Sequence, residues 1–368
     1  MVAADTISFA RGAPSADILP HEQVREAAAR ALAEDWETAL SYGVGIGHPG
    51  LCKWVAERHG HLDPSQVMVT NGSLEAGAML FRHLVSPGDR VVAEQPTYDR
   101  TLLLLQQLGA ELVPVPLEAD GLDLGAFEAA LAEGPVKLVH VIPNAHNPAG
   151  CTLSTAKRAR LVELAAERGF AIFEDDPYRE LPFEGEPLGT MLELDEADRV
   201  FHASSFSKTV SPGIRVGYLA GPAAEIAKLA KTANEIYISP NMLAESIVLE
   251  LCTSGELDRN IGFVKGELKQ RCDALVEALD AHVPEAEFVV PSGGYFLWLD
   301  LAESTDCVAL LAEAKAEGVT FVAGPDFMID GGANSLRLSF APVPAARMDE
   351  GVSRIAGALQ RLRAGMPA

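Results

Sequence analysis

Between Val67 and Ala220, short apolar runs alternate with amphipathic helical segments, and this alternation constrains the chain more than any other feature. Parallel neighbours in a sheet must be joined by a crossover of about a dozen residues or more, usually a helix, so the pattern predicts a wound, mostly parallel α/β sheet. Seven strands are expected, at 67–70, 90–94, 111–115, 138–142, 171–174, 200–203 and 217–220, with helices at 74–85, 97–108, 124–132 and 155–168. Such sheets bind ligands beyond the carboxyl ends of their strands, which makes the loops there the place to look for chemistry.

The flanks read differently. Residues 5–20 form an irregular arm rich in Gly, Pro and Ser, followed by a helix at 21–35, a glycine-rich stretch from Tyr42 to Gly50 and a helix at 51–60. Beyond Gly221 the alternation stops. A helix at 223–233 and long helical structure at 241–279, interrupted near Gly255 and Gly262, lead into short apolar runs at 286–290, 295–301, 319–322 and 335–340, with helices at 307–317 and 348–362. A chain of 368 residues, 48% of them hydrophobic, is long enough for two domains. The expected division is a large domain at 44–238 and a smaller α+β domain of residues 1–43 and 239–368, into which the arm and first helix pack.

Charge narrows the partners. Fifty-two acidic against 29 basic residues leave a net charge of −23, which argues against a nucleic-acid or anionic-membrane partner and suits a soluble enzyme. Cys52, Cys151, Cys252, Cys272 and Cys307 have neither disulfide-framework nor zinc-site spacing and read as free thiols. With no basic segment running into an apolar one at the N-terminus, a cytoplasmic location is expected. His59 and His61, two apart, point to different sides of a helix and are expected to face solvent; no metal site is indicated.

The loops after the strands carry the unusual residues. Asn71-Gly72-Ser73 opens a helix, where free N–H groups and the helix dipole attract an anion, although Gly-Ser is also an ordinary turn. Glu94-Gln-Pro-Thr-Tyr98 brings an aromatic ring to the same rim, as a stacking face or a core residue. Pro143-Asn-Ala-His-Asn-Pro-Ala-Gly150 holds Asn144, His146 and Asn147, and Glu174, Asp175 and Asp176 precede Tyr178. The next strand delivers Lys208 among Ser204, Ser205 and Ser207, with Arg215 following. An amine that can form an imine, hydroxyl donors and a guanidinium suit an aldehyde cofactor bearing a phosphate. By itself the stretch reads equally as a solvated loop. Taken together, the rim matches pyridoxal phosphate: phosphate on Gly72, Ser73, Ser205 and Arg215, ring on Tyr98, phenolic oxygen on Asn147 and Tyr178, pyridinium nitrogen on Asp175, aldehyde on Lys208. Arg337, between Leu336 and Leu338, is a solvated strand residue or a grip for a substrate carboxylate.

From Ile7-Ser-Phe-Ala-Arg-Gly-Ala-Pro14 to Leu336-Arg-Leu-Ser-Phe-Ala341 the chain resembles the class I/II aminotransferases of fold type I, the aspartate aminotransferase superfamily. Glu174-Asp-Asp-Pro-Tyr178, Ser205-Phe-Ser-Lys208 and Gly293-Gly-Tyr-Phe-Leu-Trp298 bring it nearest the 2-aminoadipate and kynurenine subgroup. The resemblance implies transfer of an amino group from an L-amino acid to a 2-oxo acid such as 2-oxoglutarate, by a ping-pong route through an imine on Lys208. It implies that Lys208 also shuttles the proton, that Asp175 keeps the ring nitrogen protonated, and that Asn147 and Tyr178 tune the phenolate. Gly72, Ser73, Leu74, Ser205, Ser207 and Arg215 would hold the phosphate, and Arg337 the α-carboxylate, with Asn147, Gly12 and Arg11 also near substrate. Tyr42 would reach the cofactor of the neighbouring subunit in a homodimer. Three positions depart from the subgroup: Leu74 stands for a glutamine, Arg11 for a glycine and Asn260 for a histidine after the long helix. Arg11 either selects an acidic side chain or is an exposed arm residue. A β-eliminating lyase, cyclase or amino-acid oxidase on the same scaffold is the alternative. A regulator's sensor domain is disfavoured by the charge and by the lack of a DNA-binding extension before residue 5.

Overall fold

The computed structural model describes residues 6–365. Its centre is an eight-stranded sheet in the spatial order Val67–Thr70, Gly217–Ala220, Val200–Ser205, Ala171–Asp175, Leu138–Val141, Arg90–Gln95, Glu111–Glu118, Gly121–Leu122. All seven expected strands are present. The eighth, Gly121–Leu122, is a two-residue antiparallel edge too short for a hydrophobic pattern to reveal. Five neighbouring strands run parallel, while Gly217–Ala220 is antiparallel to both partners. Because of that reversal, the start of Gly217–Ala220 meets the ends of Val67–Thr70 and Val200–Ser205, with Gly217 opposite both Thr70 and Ser205. The residues around Arg215 therefore share a rim with the other strand ends.

The central strands are buried on both faces, as parallel strands covered by helices must be. Helix Thr155–Arg168 stops at Gly169, which takes the left-handed conformation that closes many helices. The expected break at Gly255 is real, again with positive φ; at Gly262 there is none, and one helix runs from Glu256 to His282. A Cβ at Gly262 would meet nothing within 4 Å, so this glycine sits on an open helix face.

The C-terminal residues build a second core around a three-stranded antiparallel sheet, Phe296–Asp300, Ser335–Ser339 and Val322–Ala323, with Ser335–Ser339 in the middle. The run at 286–290 contributes only one bridge, Glu287 to Asp300. The arm joins this unit: Ile7–Ser8 pairs in parallel with Val319–Thr320, and Phe9 is fully buried. The first helix does not. His21–Glu34 lies along Met242–Thr253, with Arg30 Nε 3.1 Å from Glu250 Oε2, and its buried Ala27 belongs to the apolar cluster of the large sheet. The reason is that its small apolar face fits the helix Met242–Thr253, whose own buried residues cover that sheet. Among the described residues, no helix is long and apolar enough to cross a membrane.

Candidate active site

The strand ends frame a cavity of about 440 Å³ between the sheet and the C-terminal unit. Of the residues singled out in the sequence, Gly12, Ser73, Leu74, Tyr98, Asn147, Asp175, Tyr178, Ser205, Ser207, Lys208, Arg215 and Arg337 line it. Gly72 lies immediately behind: it has φ +91, and a Cβ there would sit 2.4 Å from Arg215 Nη2. The glycine is required both by its backbone conformation and by the close approach of the guanidinium.

Arg215 itself has φ +52, an uncommon conformation for a residue with a Cβ, of the kind that clusters at binding sites. It donates to Asn71 O at 2.6 Å and to Ser207 Oγ at 3.4 Å, while Ser205 Oγ and Ser207 Oγ lie 2.9 Å apart. Together with the N-terminus of helix Ser73–Leu84 these groups form a compact donor cradle for an anion.

Lys208 stands across the cavity. Its Nζ donates to Gly12 O at 2.7 Å and lies 5.5 and 5.2 Å from the ring centres of Tyr178 and Tyr295. Burial, with the positive charges of Arg337 and Arg215 adding to it and Asp175 opposing, brings the amine from its ordinary 10.5 to about 8. Such an amine is partly neutral near neutral pH and nucleophilic. Tyr295, which carried no assigned role in the sequence, donates from its hydroxyl to Lys208 O at 3.0 Å and fixes the backbone that presents the amine.

Strand alternation separates the three acids. Asp175 closes Ala171–Asp175 and faces the cavity, whereas Glu174 and Asp176 turn to the opposite side and are fully buried. Glu174 accepts from Met191 N, Leu192 N and His202 Nδ1, which hold its pKa below the ordinary value against the opposing effect of burial. Asp176 accepts from Asn144 Nδ2, and burial lifts it to about 6. Glu174, Asp176 and His202 bring donor atoms within 4.8 Å of one another; Glu174 is engaged by protein groups, whereas Asp176 Oδ1 and His202 Nε2 are buried without a hydrogen-bond partner. His59 belongs to this buried region rather than to solvent: it packs edge-on against His202 and contacts Tyr218 Oη at 3.2 Å. Burial lowers its pKa to about 2, so the imidazole is neutral.

Asp175 Oδ1 is buried without a hydrogen-bond partner, and its Oδ2 lies 3.7 Å from His140 Nε2. His140, fully buried and flanked by Thr97 and Thr101, went unnoticed in the sequence because it reads as an interruption of the apolar strand Leu138–Val141. On the facing wall, Arg337 Nη1 donates to Asn147 Oδ1 at 2.9 Å and Nη2 to Ala10 O at 2.8 Å. Phe296 and Phe327 sandwich its guanidinium at 4.3 and 4.6 Å from their ring centres. Arg337 lies on the central strand of its sheet and is buried, so the solvated reading does not apply. Burial brings its pKa down to about 10.

Two residues fall outside. Arg11 is exposed and absent from the cavity wall, although its neighbours Ala10 and Gly12 are on it. Tyr42 is 84% exposed and borders a different, open surface depression beside Met242. Asn260, expected after the long helix, lies inside Glu256–His282 and donates to Thr209 O at 2.5 Å, near Lys208 along the chain.

The family model for aminotransferase class I and II matches residues 4–355. The chain belongs to that family. It is 34% identical over 364 residues to aromatic-amino-acid aminotransferase 1 of Thermococcus litoralis, covering 96% of this chain and 87% of the relative. It is also 34% identical to 2-aminoadipate transaminase of Thermus thermophilus, covering 97% and 91%. The solved structure of LysN, an α-aminoadipate aminotransferase from Thermus thermophilus complexed with N-(5'-phosphopyridoxyl)-L-leucine, superimposes with a TM-score of 0.94 at 33% identity, covering 99% of this chain and 95% of that one. This aminotransferase is accordingly a pyridoxal phosphate-dependent transaminase of fold type I.

The residues present fit the cofactor. A buried carboxylate oxygen with no partner costs about 1–3 kcal/mol unless a donor meets it, and a protonated pyridine nitrogen would supply such a donor to Asp175. The cradle of Gly72, Ser73, Ser205, Ser207 and Arg215 suits a phosphate, and the amine of Lys208 suits an aldehyde. When bound, pyridoxal phosphate supplies the sink for the electrons released when the bond to the substrate α-hydrogen breaks.

Proposed function

We propose that Lys208 is the imine-forming and proton-transferring residue of this transaminase, acting on an L-amino acid whose α-carboxylate is held by Arg337. The observation that carries the reading is the buried Lys208 amine, lowered to about 8, in one cavity with Asp175 and Arg337. An amine at that pKa can leave as a neutral base and accept the α-proton in turn. Asp175, beside His140, would hold positive charge at the ring nitrogen, Asn147 and Tyr178 would act at the phenolic oxygen, and Tyr98 would offer a stacking face for the ring. Gly72, Ser73, Leu74, Ser205, Ser207 and Arg215 would hold the phosphate. Gly12 O keeps the free amine in place by accepting its hydrogen bond.

Arg337 has a planar fork that matches a carboxylate, and its present partners, Asn147 Oδ1 and Ala10 O, mark where carboxylate oxygens can replace or join them. Phe296, Val322 and Phe327 give the neighbouring wall an apolar character compatible with an aromatic or aliphatic side chain. The named relatives act on aromatic amino acids and 2-aminoadipate, and this enzyme is proposed to take amino donors of those kinds with a 2-oxo acid acceptor.

The enzyme is further proposed to be a homodimer. Tyr42 and the exposed apolar side chains of Trp36, Leu40, Val44 and Ile236 support this, since a patch of that kind calls for a partner. Tyr42 would then complete the neighbour's phosphate site. Five free, buried cysteines favour a reducing, cytoplasmic setting.

The experiment is a half-reaction. Holoenzyme mixed with one amino acid and no acceptor should pass from the aldehyde to the amine form of its cofactor, seen by absorbance, while Lys208→Ala should lack the initial imine band. Ammonia release without an acceptor would instead indicate an eliminating or oxidising enzyme.

A further inference from the structure

Asn147 lies on the cavity wall with its Oδ1 facing Arg337 Nη1. A guanidinium can only donate, so the oxygen end of the amide must be the one on Arg337, and Nδ2 is the end left to donate elsewhere. Among the described residues nothing accepts from that Nδ2.

The residue before it, His146, is fully buried, and its Nε2 lies 3.0 Å from Glu94 Oε2, which is buried as well. Ala149 N donates to the other ring nitrogen, Nδ1, at 3.2 Å. Only an unprotonated ring nitrogen can accept from an N–H, so the ring proton sits on Nε2 and is donated to Glu94. The same Oε2 accepts from Ile142 N at 2.7 Å. One oxygen on strand Arg90–Gln95 thus holds both ends of the turn 142–146, which runs from the end of strand Leu138–Val141 to the residue before Asn147.

We propose that Glu94, acting through His146, is a positioning residue for Asn147: it keeps the amide turned with its oxygen on Arg337 and its nitrogen toward the phenolic oxygen of the cofactor. This rests on the reading that Asn147 acts at that oxygen.

Two observations separate the role from ordinary core packing. Glu94 stands in a strand whose other buried members are Val91, Val92 and Ala93, where an apolar side chain would pack without the cost of desolvating a carboxylate. What the polar pair adds at that place is a defined geometry. The loop it anchors also depends on outside contacts for its shape. Ala145 has φ 43, uncommon for a residue with a Cβ, and such backbone persists where its surroundings over-determine it. On the loop's far side, a Cβ at Gly150 would come within 2.9 Å of the carbonyl oxygen of Phe296, whose ring covers the Arg337 guanidinium. Asn147 is therefore fixed between Glu94 on one side and the strand of the arginine's aromatic cover on the other.

The test uses holoenzyme of Glu94→Gln, Glu94→Leu, Asn147→Ala and the double variant Glu94→Leu with Asn147→Ala. The main readout is the pH midpoint of the imine absorbance band, accompanied by titration calorimetry with 3-phenylpropanoate as a carboxylate probe. A donor at the phenolic oxygen lowers the basicity of the imine. Asn147→Ala should therefore raise the midpoint by about 1 pH unit, the size of a lost charge-assisted hydrogen bond. Glu94→Leu should raise it by a comparable amount and weaken 3-phenylpropanoate about tenfold. Glu94→Gln keeps an acceptor for both donors and should stay near the wild-type midpoint. In the double variant, Glu94→Leu should add nothing to Asn147→Ala, because a positioning residue has no effect once the group it positions is gone. An unmoved midpoint in Glu94→Leu, a Glu94→Gln midpoint as high as that of Glu94→Leu, or shifts that add in the double variant would overturn the proposal. If Glu94→Leu yields no folded enzyme, His146→Leu takes its place with the same expectations, since it leaves Glu94 its bond to Ile142 N. Failure of the reading beneath looks different: Asn147→Ala would then leave the midpoint where it is.

Discussion

Asn147 Oδ1 accepts a 2.9 Å hydrogen bond from Arg337 Nη1 across a sequence separation of 190 residues. That contact joins the loop after Leu138–Val141 to the middle strand of the C-terminal sheet, and it sets Arg337, the proposed carboxylate grip, beside the proposed ring site. Because the guanidinium is buried between two aromatic rings and donates from both Nη atoms, it is held in position before any ligand arrives. Arg337→Gln is expected to weaken amino-acid binding by about 10–100-fold, the size of a lost charge-assisted pair, with cofactor binding preserved. Asn147→Ala should lower both, and equal loss of both ligands in Arg337→Gln would contradict the assignment.

The depressed amine of Lys208 predicts a pH profile. Neutral amine is the form that attacks an aldehyde, so in cofactor-free protein the rate of imine formation should rise with pH through about 8 and then level. Arg337 is one cause of the depression, so Arg337→Gln should move the midpoint upward. Linkage gives a second readout. Between about 8 and the ordinary 10.5 the unfolded chain holds this proton more than the folded one, so this group's contribution to stability grows as pH rises through that window. A stopped-flow profile that continues to climb as for an exposed lysine would exclude the assigned environment.

Gly72→Ala isolates the phosphate cradle. The new Cβ meets Arg215 Nη2 at 2.4 Å and also carries backbone strain at φ +91, whereas Gly60→Ala, at φ +77 with nothing within 4 Å, carries the strain alone. Both variants should lose about 1–2 kcal/mol of stability from the left-handed backbone. Only Gly72→Ala should lose cofactor affinity, by about tenfold or more, read from fluorescence titration. Matching affinities would mean that Arg215 does not hold the phosphate.

Arg158 supports the site from below. It is buried and donates to Leu153 O, Gly189 O, Pro143 O and Asn144 Oδ1 at 2.7 to 2.9 Å, bracing the loop that carries Asn147. Arg158→Met leaves those acceptors without their donor and Asp176 without one of its nearby positive charges, at a cost of about 3–5 kcal/mol. Urea unfolding would measure it, and a loss below about 1 kcal/mol would place the bracing elsewhere.

Tyr42 bears on assembly. Light scattering of the holoenzyme should give twice the mass of the 39.1 kDa chain. Tyr42→Ala should weaken cofactor retention although the residue lies outside its own cavity; unchanged retention would remove it from the phosphate site.

Much of the fold is readable in order along the chain. All seven strands stand within two or three residues of their expected limits because apolar runs between helices leave a parallel sheet few alternatives. Asp175 illustrates the limit of such a reading. Three consecutive acids at 174–176 look equivalent in sequence, and only the strand's alternation separates the one facing the cavity from the two beneath it. His59 departs from its expected exposure for a related reason: helical spacing tells which residues share a face, but not that this face meets His202 and Tyr218.

The sequence alone determined the sheet, the strand-end loops and the choice of Lys208 as the candidate imine-forming amine, because hydrophobic period and residue type act locally. Tertiary structure decided which cations share the cavity. It brought Arg337 to Asn147, set Arg100 rather than Arg11 on the wall, and moved the first helix onto Met242–Thr253. Those outcomes depend on how two separate cores pack across one cleft, and the guanidinium groups meet there through contacts between residues far apart in the chain, which no local pattern encodes.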